Sequence, residues 1–194
     1  MDDTSLSLLD RLKRDQDPES WRRLLDLYTP LIRGWLRRHG LSEPDADDLV
    51  QEVLIVVVRR VPDFVREPRP GAFRRWLKTI TVHCAHTFWR SRKRRPAATG
   101  DSQFLDMLQQ LENPESGLSQ LWDQEHDRHV FRHLMEQVRP QFTPATWEAF
   151  RRFALDDESA EDVATALGMT TNAVFIAKSR VLRSLRELGK GFID

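Results

Sequence analysis

The chain has a single cysteine, Cys84, among its 194 residues, so no disulfide can close within it and nothing suggests a cross-linked secreted scaffold. It also lacks a long apolar run: the longest, Val53–Val58, falls far short of the ~20 residues that span a bilayer. The first residues are acidic and soon mixed in charge, unlike the basic-then-apolar order of a signal peptide. No glycine-rich phosphate loop and no nucleophile beside a base stand out, so an enzyme is not expected, nor a cofactor or small-molecule substrate. Net charge is absent too, with 30 Lys/Arg against 30 Asp/Glu. These absences together lead to the expectation of a soluble, cytoplasmic protein. With 40 % hydrophobic residues it can bury real cores, and with 31 % charged residues it has the surface-rich balance of small helical domains.

What is there is charge of one sign at a time. Between Pro68 and Gly100 stand nine Lys/Arg (Arg69, Arg74, Arg75, Lys78, Arg90, Arg92, Lys93, Arg94 and Arg95) and no Asp or Glu. Phe73, Trp76, Phe88 and Trp89 are interleaved with them. Cations neutralise backbone phosphates and aromatic faces stack on unpaired bases, so this segment is a candidate platform for a partly opened nucleic acid. Trp76 and Trp89 are its best stacking candidates. Residues 41–58 hold five acids and no base, residues 96–127 seven acids and no base, and Lys178–Lys190 five bases against Glu187. Two basic regions separated by an acidic one suggest two nucleic-acid contacts joined by a segment that avoids duplex DNA.

Periodicity predicts helices throughout. A leucine-rich helix is expected over about Ser5–Arg14, and Trp21, Leu24, Leu25, Tyr28, Leu31, Ile32 and Trp35 mark an amphipathic helix from Pro18 to Gly40. The Val53–Val58 run has strand propensity, yet Leu49, Val50, Val53, Leu54, Val57 and Val61 carry a helical stripe through it and no second strand exists to pair with it. A helix over Pro44–Arg60 follows, with Asp45, Asp47 and Asp48 in its first turn, where the macrodipole favours anions. The next helix starts at Pro70-Gly71 and turns Phe73, Trp76, Leu77, Ile80, Cys84 and Phe88 inward, leaving Arg74, Arg75, Lys78 and Arg90 outside. Trp89 falls off the stripe. A linker of about twenty residues, with a weak helix near Phe104–Leu111, precedes a helical unit carrying Leu121, Trp122, Val130, Phe131, Leu134 and Val138 on its apolar side.

Toward the C-terminus, Thr143-Pro144 and Ser159-Ala160-Glu161-Asp162 each mark a helix start. Val163, Ala164, Leu167, Gly168, Val174 and Ala177 fit a helix-turn-helix: small Ala164 allows close approach, Gly168 the tight turn, and Val174 plugs the interface. Its second helix would present Thr171, Asn172, Phe175, Lys178, Ser179, Arg180 and Arg183 to a major groove. An ordinary helical hairpin would show the same small and apolar residues. His83, Cys84 and His86, or His126, His129 and His133, could be read as metal clusters, but neither supplies the four ligands of a structural zinc site, and no metal is expected.

On these motifs the chain resembles a bacterial RNA polymerase sigma factor of the extracytoplasmic-function group, which has only the second and fourth conserved sigma regions. Asp45-Ala46-Asp47-Asp48-Leu49-Val50-Gln51-Glu52-Val53 is similar to the Asp-Asp-Leu-x-Gln-Glu signature of the polymerase-binding helix. Phe73-Arg74-Arg75-Trp76-Leu77-Lys78-Thr79-Ile80 is similar to the entry of the promoter-opening helix, and Val163–Arg183 to the C-terminal helix-turn-helix. The resemblance implies an all-α protein of two small helical domains: a region 2-like bundle over 1–95, an acidic linker over 96–117, and a region 4-like helix-turn-helix domain over 118–194. It implies that Asp45, Asp47, Asp48, Leu49, Gln51 and Glu52 meet the clamp coiled coil of core RNA polymerase. Arg74, Arg75, Trp76, Lys78, His83, Trp89, Arg90, Arg92, Lys93 and Arg94 would hold the downstream promoter element and its opened strand. Thr171, Asn172, Phe175, Lys178, Ser179, Arg180 and Arg183 would read the upstream element, with the polymerase flap beneath them. An anti-sigma factor clamped between two lobes is a further candidate partner.

The chain departs from the family pattern where His83 replaces a common Asn and Thr87 a frequent Asp, which bears on the flipped-base preference. It departs again where Phe175 and Ile176 replace small or polar residues. Those two side chains bear on the upstream consensus, or meet the flap or another partner. A free-standing helix-turn-helix regulator with a partner-binding N-terminal bundle is the competing reading, and the acidic cluster at Asp48 and Glu52 is what such a regulator would not need.

Overall fold

The computed structural model of the chain describes residue 12 and residues 18–65, 71–92 and 101–189. The helix expected over residues 5–14 lies outside these, Leu12 excepted, as do Arg69, Lys93, Arg94 and Arg95. The protein is all-α, with no strand among the described residues. Its helices are α1 (Pro18–Arg38), α2 (Glu43–Arg60), α3 (Ala72–Arg92), α4 (Asp101–Glu112), α5 (Gly117–Val138), α6 (Pro144–Ala154), α7 (Ala160–Leu167) and α8 (Thr171–Gly189), with 3-10 turns at Val61–Asp63 and Arg139–Gln141. They form two compact units whose division falls between Val130 and Phe131, inside α5.

In the N-terminal unit α1 packs on α2, α2 on α3 and α3 on α4. Ser42 caps α2, its Oγ accepting from the Asp45 backbone N–H at 3.4 Å, with Pro44 in the first turn. The valine run is helical: Leu49, Val50, Val53, Leu54, Val57 and Val61 are all buried, while Ile55 and Val58 face outward. Packing of one face decides this against local β preference. The first half of α5, Gly117–Val130, belongs to the same unit. Its Trp122 meets Trp35 of α1 edge-to-face, ring centroids 4.9 Å apart, a pairing that adds about 1 kcal/mol beyond area burial. Residues 118–130, assigned from sequence to the second domain, thus pack on the first helices because their apolar and acidic side chains find partners there. On α5 only part of the expected apolar side is buried: Trp122, Val130, Leu134 and Val138 are inside, whereas Leu121 and Phe131 are exposed.

In the C-terminal unit α6, α7 and α8 pack on one another around Ala149, Val163, Ala164, Val174 and Ala177, with Phe153, Ala160, Leu167 and Met169 at the edge. Three alanines in this cluster let the backbones approach closely. Thr143 and Ser159 cap α6 and α7, accepting from Thr146 N–H at 3.3 Å and Asp162 N–H at 3.1 Å. Gly168 ends α7 at φ +63°, the left-handed conformation that costs a side-chain-bearing residue most, and α8 begins three residues later.

Candidate functional site

Three surfaces carry the side chains singled out from sequence. The first is the acidic face of α2. Asp48, Gln51 and Glu52 are exposed and line up with exposed Ile55 along one helix face, beside a groove of about 500 Å³ that Asp45, Phe88 and Ser91 complete. The other three α2 candidates sit differently. Leu49 is fully buried, Asp45 is buried against the Ser42 hydroxyl (Oγ to Oδ2, 2.5 Å), and Asp47 lies 2.6 Å from Arg33 Nε of α1. Only the stripe Asp48–Gln51–Glu52 is offered to a partner as free carboxylate and amide surface.

The second surface is α3. Arg75, Thr79, His83 and Thr87 recur every fourth residue on its solvent face, with Arg90 beyond them. Thr79 and Thr87 each turn their hydroxyl back to the carbonyl four residues earlier, at 3.0 Å. A groove of about 430 Å³ runs between this face and α2, lined by Glu52, Ile55, Val56, Arg60, Thr79, Ile80, His83, Cys84 and Thr87. Burial pushes the Cys84 thiol up to about 11, so it is a neutral apolar wall of that groove rather than a nucleophile.

Three α3 candidates do not share that face. Lys78 is only 8 % exposed and donates to Ser119 Oγ at 2.5 Å and Asp123 Oδ1 at 3.2 Å, both on α5. Arg74 donates through Nη1 to Asp127 Oδ2 at 2.5 Å, with its Nε 3.3 Å from Asp123. Trp89, 8 % exposed, lies against Phe104 of α4 with centroids 4.6 Å apart and rings inclined at 32°. The helical stripe read from sequence placed all three outside because it accounts for one packing face, whereas α3 is covered by α2 on one side and by α4 and α5 on another. Trp76 is half-buried, 5.0 Å from Phe64 and 5.3 Å from Phe73. Lys93 and Arg94 and the Arg92 side chain lie outside the described residues.

The Arg74 and Lys78 contacts end a polar chain that sequence reading did not find. Burial lowers the proton affinity of His126, which is fully buried, so its imidazole is neutral. Its Nδ1 lies 3.1 Å from Asp127 Oδ1 and donates to it; its Nε2 then accepts from the Tyr28 hydroxyl at 3.3 Å. Burial, and then the charge of Asp127, hold the Tyr28 phenol well above its usual range, which keeps the donor protonated. Burial alone would raise the Asp127 carboxyl, but hydrogen bonds from His126 and Arg74 outweigh it and leave the group below its ordinary value. Four polar side chains of α5 are thereby matched to Tyr28, Arg74 and Lys78. The available signal was spacing: Asp123 and Asp127 are four apart, as are Arg74 and Lys78, on segments of opposite charge. His129 is also engaged, its Nε2 2.8 Å from the Leu27 carbonyl oxygen, and His133 lies 2.7 Å from Gln137. Among the described residues no three His, Cys, Asp or Glu gather in a metal-holding group, and no helix is long and apolar enough to cross a membrane.

The third surface is α8. Val174 and Ala177 face α6 and α7, which leaves Thr171, Asn172, Phe175, Ser179, Arg180 and Arg183 exposed together. Lys178 is half-buried with Nζ 4.8 Å above the Phe153 ring of α6, and Phe175 meets the same ring edge-to-face at 5.2 Å. From Thr171 to Arg186 this helix has four bases and no carboxylate.

Residues 24–95, from within α1 to just past α3, match the family model for sigma-70 region 2. No curated protein matches the chain. The fold and the match show a helical protein with a segment similar to sigma-70 region 2. The match covers residues 24–95 alone, under half of the 194-residue chain.

Proposed function

We propose that this chain is a sigma factor of the extracytoplasmic-function type, which binds core RNA polymerase and directs it to a restricted set of promoters. The observation that carries this reading is the exposed Asp48–Gln51–Glu52 stripe, standing inside the region 2 match on a helix whose other acids are buried or paired. Such a stripe is suited to a basic partner surface, and the clamp coiled coil of the polymerase is that partner. The unit that ends at Val130 would bind polymerase and the downstream promoter element, and the unit from Phe131 onward would read the upstream element. In the first part, Arg75, His83 and Arg90 are exposed on α3 and would face an opened strand, whereas Arg74 and Lys78 serve the fold of the free chain. In the second, α7 and α8 act as a helix-turn-helix, with α8 entering the major groove.

Reversing Asp48→Lys and Glu52→Lys together should abolish co-purification with core polymerase and promoter-dependent RNA synthesis. Both side chains are exposed, so thermal melting should not change. Undiminished association of the double variant with core polymerase would refute the docking role.

A further inference from the structure

The upstream-reading face of α8 carries two side chains out of keeping with a polar, basic surface. Phe175 is 52 % exposed and Ile176 43 %, neither belongs to the core cluster, and both stand among Asn172, Ser179, Arg180 and Arg183. The exposed part of each side chain gains free energy only when something apolar covers it. Phe175 is also held in place. The edge-to-face contact with Phe153, whose own face lies beneath the Lys178 ammonium, fixes the Phe175 ring beside a cation that can meet a phosphate. The four bases and absent carboxylates of Thr171–Arg186 suit a polyanion and disfavour a base-rimmed protein groove.

In the major groove of duplex DNA only one natural base edge offers an apolar group, the 5-methyl of thymine. We infer that Phe175 and Ile176 read thymine methyl groups in the upstream promoter element, while Arg180, Arg183 and Lys178 bind the flanking phosphates. This inference rests on the reading of α8 as the upstream-element helix and specifies what that helix recognises. It also accounts for both departures from the polar pattern as one device: apolar contacts in place of hydrogen bonds to base edges.

The experiment uses the full chain assembled with core RNA polymerase and a randomised duplex library, from which bound upstream sequences are selected. In the selected duplex each thymine is then replaced by deoxyuridine, which removes the methyl and nothing else. Binding should weaken about fourfold for each methyl contacted, the worth of one buried methyl-sized group. Phe175→Ala and Ile176→Ala should bind the thymine duplex more weakly and lose the thymine–uracil difference at their own positions, and Phe175→Leu should retain part of it. The wild-type comparison requires no variant to fold. Equal binding of thymine and uracil duplexes by the wild-type assembly overturns the inference while leaving the sigma-factor reading intact. So does an unchanged methyl preference in Phe175→Ala and Ile176→Ala, or a loss confined to polymerase association, which would assign the two side chains to a protein partner. Failure to select any duplex would remove both the inference and the reading beneath it.

Discussion

Asp123 is the shared counter-ion of two cations, and its removal should expose how much of the N-terminal unit depends on them. Its Oδ1 lies 3.2 Å from Lys78 Nζ and 3.3 Å from Arg74 Nε; the side chains of Lys78, Arg74 and Asp123 are 11 %, 19 % and 30 % exposed. Breaking a fully buried pair costs about 3–5 kcal/mol and an exposed one about 0–1 kcal/mol. The partial exposure of Asp123 sets the expectation for Asp123→Asn at about 2 kcal/mol, since the Lys78 ammonium would be left with Ser119 as its hydrogen-bond partner. For a unit of this size that is a fall in Tm of about 8 °C. Five of the six tryptophans, Trp21, Trp35, Trp76, Trp89 and Trp122, lie in this unit, so urea unfolding followed by tryptophan fluorescence reports on it selectively. Lys78→Met should be damaging too, because it leaves the carboxylate with Arg74 alone and removes the donor to Ser119. The double variant should be more stable than the sum of the two losses by about 1–2 kcal/mol. A cost for Asp123→Asn below about 0.5 kcal/mol, with no coupling to Lys78, would show that the pair is open to water and would refute the argument.

Acid should weaken the same unit in two stages. The folded His126 binds a proton less readily than the unfolded group at 6.5, so stability should begin to fall as pH drops below that value; a flat urea midpoint between pH 7.5 and 5 would contradict it. The depressed Asp127 carboxyl contributes in full above its unfolded value of 3.8, and that contribution is lost as pH falls through the lower folded value, visible as a second decline in the same titration. Gly168→Ala should cost about 1–2 kcal/mol, since no atom lies within 4 Å of an added Cβ and the positive φ alone is penalised; a neutral change in thermal melting would mean the turn relaxes. Lys178→Ala with Arg180→Ala should lower upstream-duplex affinity and flatten its dependence on salt by about one unit of log–log slope per phosphate contact, measured by titration at several salt concentrations. An unchanged slope would remove those side chains from the DNA.

Much of the fold was legible because helices write themselves into spacing. The stripe from Leu49 to Val61 overrode the strand preference of Val53–Val58, and every residue of it is buried. Gly168 between two capped, alanine-bearing segments announced the turn that joins α7 and α8. Charge segregation likewise marked α2, α3 and α8 as the helices with surfaces worth examining. These are local properties, set by 3.6-residue periodicity, by backbone conformations that only glycine adopts cheaply, and by side chains that reach their own helix ends.

Which neighbour covers a face is not local. Lys78, Arg74 and Trp89 have the same positions in the helical repeat whether they meet solvent, DNA or α4 and α5, and only the tertiary packing puts Ser119, Asp123, Asp127 and Phe104 against them. The exposed stripe of Asp48, Gln51 and Glu52 was separated from Asp45, Asp47 and Leu49 in the same way, by the cap and by α1. Periodicity tells which residues travel together on one side of a helix; the partner they meet is chosen by chain segments tens of residues away, through shape and charge that no window of sequence contains.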